Sequence, residues 1–101
     1  MDVAVQITQY TVSALPESHM EADIFAITVE YRGADRWAVL RGTRCLAADG
    51  TWDFEPNPSS RTKEWRDSHR FDEQTALRLA REAAPKVAVN GWTAERVLAE
   101  A

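Results

Sequence analysis

A chain of 101 residues is long enough for one hydrophobic core and too short for two. Its 45% apolar and 28% charged residues match the usage of a soluble globular domain and exclude disordered, collagenous and membrane-spanning classes. A net charge of −4 and a pI near 5.1 argue against a domain built to track polyanions.

The lone Cys45 rules out an intramolecular disulfide and fits a reducing compartment. The start Met1-Asp2-Val3 lacks the basic and apolar regions of a signal peptide, so a cytoplasmic location is expected. Charge is distributed unevenly: residues 1–30 sum to −5, residues 31–70 to +2 and the rest to −1. Acidic side chains of the first third are therefore expected to face basic ones of the middle third across neighbouring strands.

In chain order, Val3, Val5 and Ile7 alternate with polar residues and predict a strand over about 3–14, ended by Pro16. The polar segment 16–23 reads as a connection. Phe25, Ile27, Val29 and Tyr31 share one face and Ile24, Ala26, Thr28 and Glu30 the other, the pattern of a largely buried central strand over 24–32. Arg32-Gly33-Ala34-Asp35 supplies turn chemistry. A further strand over 36–47 follows, with Gly42 inside it marking a bulge or bend. Asp49-Gly50 predicts a type I′ hairpin turn leading to a strand over 51–55, whose Trp52 and Phe54 are expected in the core.

Pro56 and Pro58 stop the sheet. Residues 56–71 then form a long loop that could contain a short helical turn around Glu64-Trp65-Arg66. Asp72 is an N-cap candidate for a helix over 73–84, carried by Ala76, Leu77, Leu79, Ala80, Ala83 and Ala84 and closed by Pro85. Residues 86–89 read as either a short strand or a connector, and Asn90-Gly91 as a turn. Thr93 caps a last helix over 94–100 with Ala94, Val97 and Leu98 on one stripe. Strands first and helices last predict a single α+β domain. Its antiparallel sheet has three to four strands, with both C-terminal helices on one face.

The run Asp49-Gly-Thr-Trp-Asp-Phe-Glu-Pro-Asn-Pro-Ser-Ser-Arg61, with His69-Arg-Phe71 and Thr75-Ala-Leu-Arg-Leu-Ala80, resembles small uncharacterised proteins of actinobacteria and their phages. The resemblance covers roughly residues 24–101 and implies an accessory protein of a mobile element. Its motif consists of structural residues, so it carries over no functional one.

No chemical motif accompanies it. Ser59 and Ser60 lack a nucleophile-elbow context, and no phosphate-binding glycine loop exists. A small sheet backed by two short helices is expected to leave little room for an enclosed substrate pocket of about 300 Å³ or more. His19 with Glu17, Glu21 and Asp23 is a weak metal pattern beside the alternative of a solvated loop. Cys45, next to Leu46 in a strand, reads as a structural thiol. The expectation is a protein without catalytic residues, metal or cofactor.

Trp37 and Trp52 are read as core, whereas Trp92 is open to either a core or a surface reading. Trp65 has wholly polar flanks and no period to assign it a face. It is the candidate contact residue, with Arg61, Lys63, Arg66 and Arg70 around it. The sequence thus favours a non-enzymatic protein-interaction module, a phage or mobile-element accessory or inhibitor, contacting a protein partner or a second copy as a homodimer. The alternative is nucleic-acid binding, with the 61–70 bases on phosphate and Trp65 stacked on a base.

Overall fold

The structure, a computed structural model, describes residues 2–100. Five strands, β1 (Gln9–Val12), β2 (Ile27–Tyr31), β3 (Trp37–Arg41), β4 (Arg44–Leu46) and β5 (Trp52–Phe54), form an antiparallel meander in sequence order. Helices α1 (Lys63–His69) and α2 (Glu73–Ala83) follow. The small hairpin β6 (Ala88–Val89) and β7 (Trp92–Thr93) and the helix α3 (Ala94–Glu100) complete the chain. The α+β class and the C-terminal helices agree with the sequence reading, but the main sheet has five strands and a second sheet of two is present.

The extra strand arises at Gly42. With φ +59°, Gly42 occupies the first central position of a two-residue turn between Arg41 and Arg44, the place where a type II′ hairpin needs glycine. The predicted bend is therefore a full reversal that splits 36–47 into β3 and β4. At the next turn the predicted type I′ geometry is also corrected. Only Gly50 takes positive φ (+90°), and Asp49 instead accepts the Thr51 N–H at 3.0 Å, an Asx-type turn.

Two predicted strands are shorter than their periodicity implies. Ile24–Ala26 are withheld from β2 by consecutive turns from Pro16 onward, and Arg41 fixes that path by donating to the carbonyls of Ile24 and Ala26, each at 3.0 Å. Residues 3–7 alternate correctly but, among the described residues, pair with no other segment. β2 ends opposite them, where the Tyr31 N–H reaches the Thr8 carbonyl at 2.9 Å.

One sheet face carries Tyr10, Val12, Ile27, Val29, Tyr31, Trp37, Val39, Leu46 and Trp52. The registers Tyr10↔Val29↔Val39, Tyr31↔Trp37 and Leu46↔Trp52 place them together. Against it pack Ala76 and Ala80 of α2, Ala94 of α3, Phe71 and Val87 in the main core. Small alanines on these helices allow close approach to the large sheet residues. The Tyr10 hydroxyl also donates to Glu73 at 3.0 Å, joining β1 to α2.

Phe54 departs from the expectation for its strand: it is 63% exposed, because it lies opposite the exposed Arg44 beyond the reach of the helices. The other sheet face holds a second small core of Ala38, Leu40 and Cys45, covered by Trp65 of α1. The chain moves between faces at Phe71, whose N–H and C=O pair with those of Trp37 at 3.0 and 2.7 Å. No helix among the described residues is long and apolar enough to cross a membrane.

Candidate functional site

The segment read as a long loop is a 3-10 turn at Pro58–Ser60 followed by α1, capped by the Thr62 hydroxyl accepting the Trp65 N–H at 3.0 Å. Trp65 is half-buried over Ala38, Leu40 and Cys45. Its other neighbours occupy the ring further. His69 stacks on it at 4.2 Å between centroids, and the guanidinium carbons of Arg70 and Arg61 lie 5.0 and 5.8 Å from the ring centroid, within cation–π range.

His69 is itself buried and faces acceptors at both ring nitrogens. Nδ1 lies 2.7 Å from the Trp65 carbonyl oxygen, and Nε2 lies 2.7 Å from Asp53 Oδ2 on β5. Arg70, only 7% exposed, donates to the His69 carbonyl at 3.0 Å and to Glu55 at 2.8 Å. Glu55 is the hub of this face. Oε1 also meets Arg61 at 3.2 Å, and Oε2 meets Arg32 at 3.6 Å. A buried guanidinium needs such a partner, since an unpaired buried charge is costly.

Of the five residues singled out from sequence, Arg61, Trp65 and Arg70 therefore meet in one cluster built into the fold. Lys63 and Arg66 stand exposed on α1. Sequence reasoning missed Glu55, His69 and Arg32, which come from separate segments and join only by sheet register and helix placement. Arg32 and Arg36 flank the β2–β3 turn, where the Arg32 N–H donates to the Arg36 carbonyl at 2.8 Å. Together with Arg61, Arg66, Arg70 and Asp67 they line a recess of about 280 Å³.

A second surface lies at the opposite side of the sheet. β1 is an edge strand, continued toward the N-terminus by an arm with Val3, Val5 and Ile7 exposed at 81%, 94% and 64%. Among the described residues, no backbone group from Asp2 to Ile7 pairs with another segment. The arm ends in an unpaired edge, a template for another chain.

Two further recesses are open to the surface, not enclosed. One, of about 470 Å³, lies beneath Trp52, Leu79 and Val87 with Arg44 and Lys86 at its rim. The other, of about 620 Å³, lies between Phe25, Met20, Trp92 and Val97. Neither brings together a nucleophile and a base. Cys45 Sγ meets the carbonyl oxygen of His69, at 3.8 Å, and not its imidazole. Burial pushes the Cys45 thiol pKa up, with the Arg70 guanidinium countering only part of it. His19 Nδ1 accepts the Glu21 N–H at 3.0 Å within its turn. Among the described residues no group of three or more His, Cys, Asp or Glu side chains is arranged to hold a metal ion.

Compared with known proteins, the chain matches no family model, no curated protein and no solved structure.

Proposed function

We propose that this chain is a small non-enzymatic interaction module that associates through the open β1 edge of its sheet, with a second copy of itself as the partner. The observation that carries this reading is the arm with Val3, Val5 and Ile7 at 64–94% exposure, an apolar alternation with strand periodicity and no neighbour. Edge strands are ordinarily blunted by charge, proline or short length. This one has Asp2 as the only charge among residues 2–12.

Antiparallel pairing of β1 with its counterpart about a two-fold axis would extend two sheets into one and satisfy the arm's backbone groups, an isologous contact. The setting proposed for such a module is that of a phage or mobile-element accessory or inhibitor protein.

Sedimentation of the full chain tests this. A dimer at tens of micromolar, converted to monomer by Val5→Lys with Ile7→Lys, is the expected result. A monomer at high micromolar concentration overturns it.

The nucleic-acid alternative rests mainly on Lys63 and Arg66, which stand exposed on α1, because Trp65 stacks on His69 and Arg61 and Arg70 give part of their donor capacity to Glu55. Filter binding that weakens steeply with salt, and less steeply in Lys63→Ala with Arg66→Ala, is its signature.

A further inference from the structure

We infer that the recess between the β2–β3 turn and α1 is a binding site for a single phosphate monoester group. Five arginines line it, Arg32 and Arg36 from the turn and Arg61, Arg66 and Arg70 from the α1 segment. Three of them are held in place by Glu55. A guanidinium carries five N–H donors in a rigid fork. Glu55 therefore orients Arg32, Arg61 and Arg70 while using only part of their donor capacity. Arg36 and Arg66 form no ion pair among the described residues.

Charge matches the ligand. Against the five guanidinium groups stand Glu55, the Asp67 carboxylate at the wall, and Glu30, which meets Arg32 at 3.2 Å. Asp72 lies close enough for the charge of Arg36 to help lower its pKa, without a direct ion pair. Asp67 is the one carboxylate in the lining; counted with Glu55 and Glu30, which pair with the arginines, it leaves two positive charges over, and a phosphate monoester carries about −1.5 to −2 at neutral pH. Arginine is the side chain whose planar fork fits phosphate oxygens in pairs.

Size and surroundings select one phosphoryl group over a nucleic-acid backbone. A recess of about 280 Å³ is at the lower limit for small-ligand sites. The elements that form it also carry Asp35, Glu64 and Asp67, which would repel the neighbouring phosphates of a polymer. The Trp65 ring, occupied by His69 and Arg70, offers no free face for a base. The recess draws on residues other than the β1 edge, so its test is independent of self-association.

Inorganic phosphate and phosphoserine, titrated into the full chain at low ionic strength and followed by arginine Nε–H shifts, should bind saturably. Arg36→Gln with Arg66→Gln should weaken binding by about tenfold or more, the scale of a lost charge-assisted contact. Thermal unfolding should change little, since neither residue joins an ion pair among the described residues and Arg36 gives up one long hydrogen bond, 3.4 Å to the Arg70 carbonyl. Arg78→Gln with Arg81→Gln removes the same charge from α2 and should leave the affinity unaltered. Shifts that never saturate overturn the proposal, as does equal weakening by the two double variants. A single-stranded oligonucleotide lacking terminal phosphate should bind no better than inorganic phosphate. If it binds more tightly, the site reads a phosphodiester backbone and the monoester assignment fails.

Discussion

The imidazole of His69 lies flat against the indole of Trp65, with ring centroids 4.2 Å apart and planes 5° from parallel. The pair is separated by four residues on α1, so both rings project from one side of a helix of only seven residues. Such a helix is too short to be stable alone. It is held by what its side chains cover, the Ala38, Leu40 and Cys45 patch on the sheet.

Trp65→Ala should therefore cost stability, about 2 kcal/mol, below the roughly 3–5 kcal/mol of buried aromatic truncations because the ring is half-buried. Denaturant unfolding measures it. A change under about 0.5 kcal/mol, the scale of ordinary surface substitutions, would show that the ring contributes little to the fold.

Glu55 and Arg70 are the second structural pair on this face, 2.8 Å apart with side chains 16% and 7% exposed. Glu55→Ala strands the Arg70 guanidinium without its carboxylate, and breaking a buried pair from one side costs about 3 kcal/mol or more. Part of that is recovered when Arg70→Met is added, because the stranded charge is removed with it. Additive losses in the resulting double-mutant cycle would contradict the pairing.

How far the sequence carries the fold is visible in these residues. The strand faces and α2 follow from periodicity, since Val29, Val39, Ala76 and Ala80 recur at the spacing of their elements. Trp65 has no apolar neighbours at helical spacing, and α1 is shorter than any pattern can establish. The Glu55 hub joins Arg32, Arg61 and Arg70 across separate segments, a long-range coincidence without a local signal. The arm shows the opposite failure: Val3, Val5 and Ile7 have the period of a strand, but period does not supply a partner.

Gly42 was the other point at which pattern and geometry parted. Its φ of +59° favours glycine, and an added Cβ would meet nothing within 4 Å. The cost of Gly42→Ala is thus purely conformational, about 1 kcal/mol, with Gly42→Asn smaller because asparagine tolerates this region. Equal midpoints for wild type and Gly42→Ala in urea would argue against the tight β3–β4 turn.

Asp72 makes stability depend on acid. The Thr75 N–H and hydroxyl bond its two carboxylate oxygens at 2.8 and 3.0 Å and hold its pKa below the usual carboxylate range. A depressed native pKa means that the cap's contribution is complete above the unfolded-state pKa, about 3.9. It is lost as pH falls through the lower native value. Asp72→Asn keeps a capping acceptor but cannot titrate, so its melting temperature should fall less steeply than wild type on acidification to about pH 3. Parallel melting curves across that window would remove Asp72 as a source of the dependence.

Cys45 links the small core to chemistry that can be followed directly. Its thiol is fully buried under the ring of Trp65, and burial raises its pKa despite Arg70 nearby. Thiolate is the reactive form, so both access and ionisation oppose labelling of the native protein. A thiol-reactive disulfide at about pH 8, close to the usual cysteine pKa, should modify Cys45 far more slowly than free cysteine. Reaction should then proceed through transient opening of α1. Trp65→Ala removes the cover and should raise the labelling rate well above wild type under native conditions. The variant of a distant exposed residue, Arg78→Ala, should not. If Cys45 reacts equally fast in all three proteins, Trp65 does not close this face.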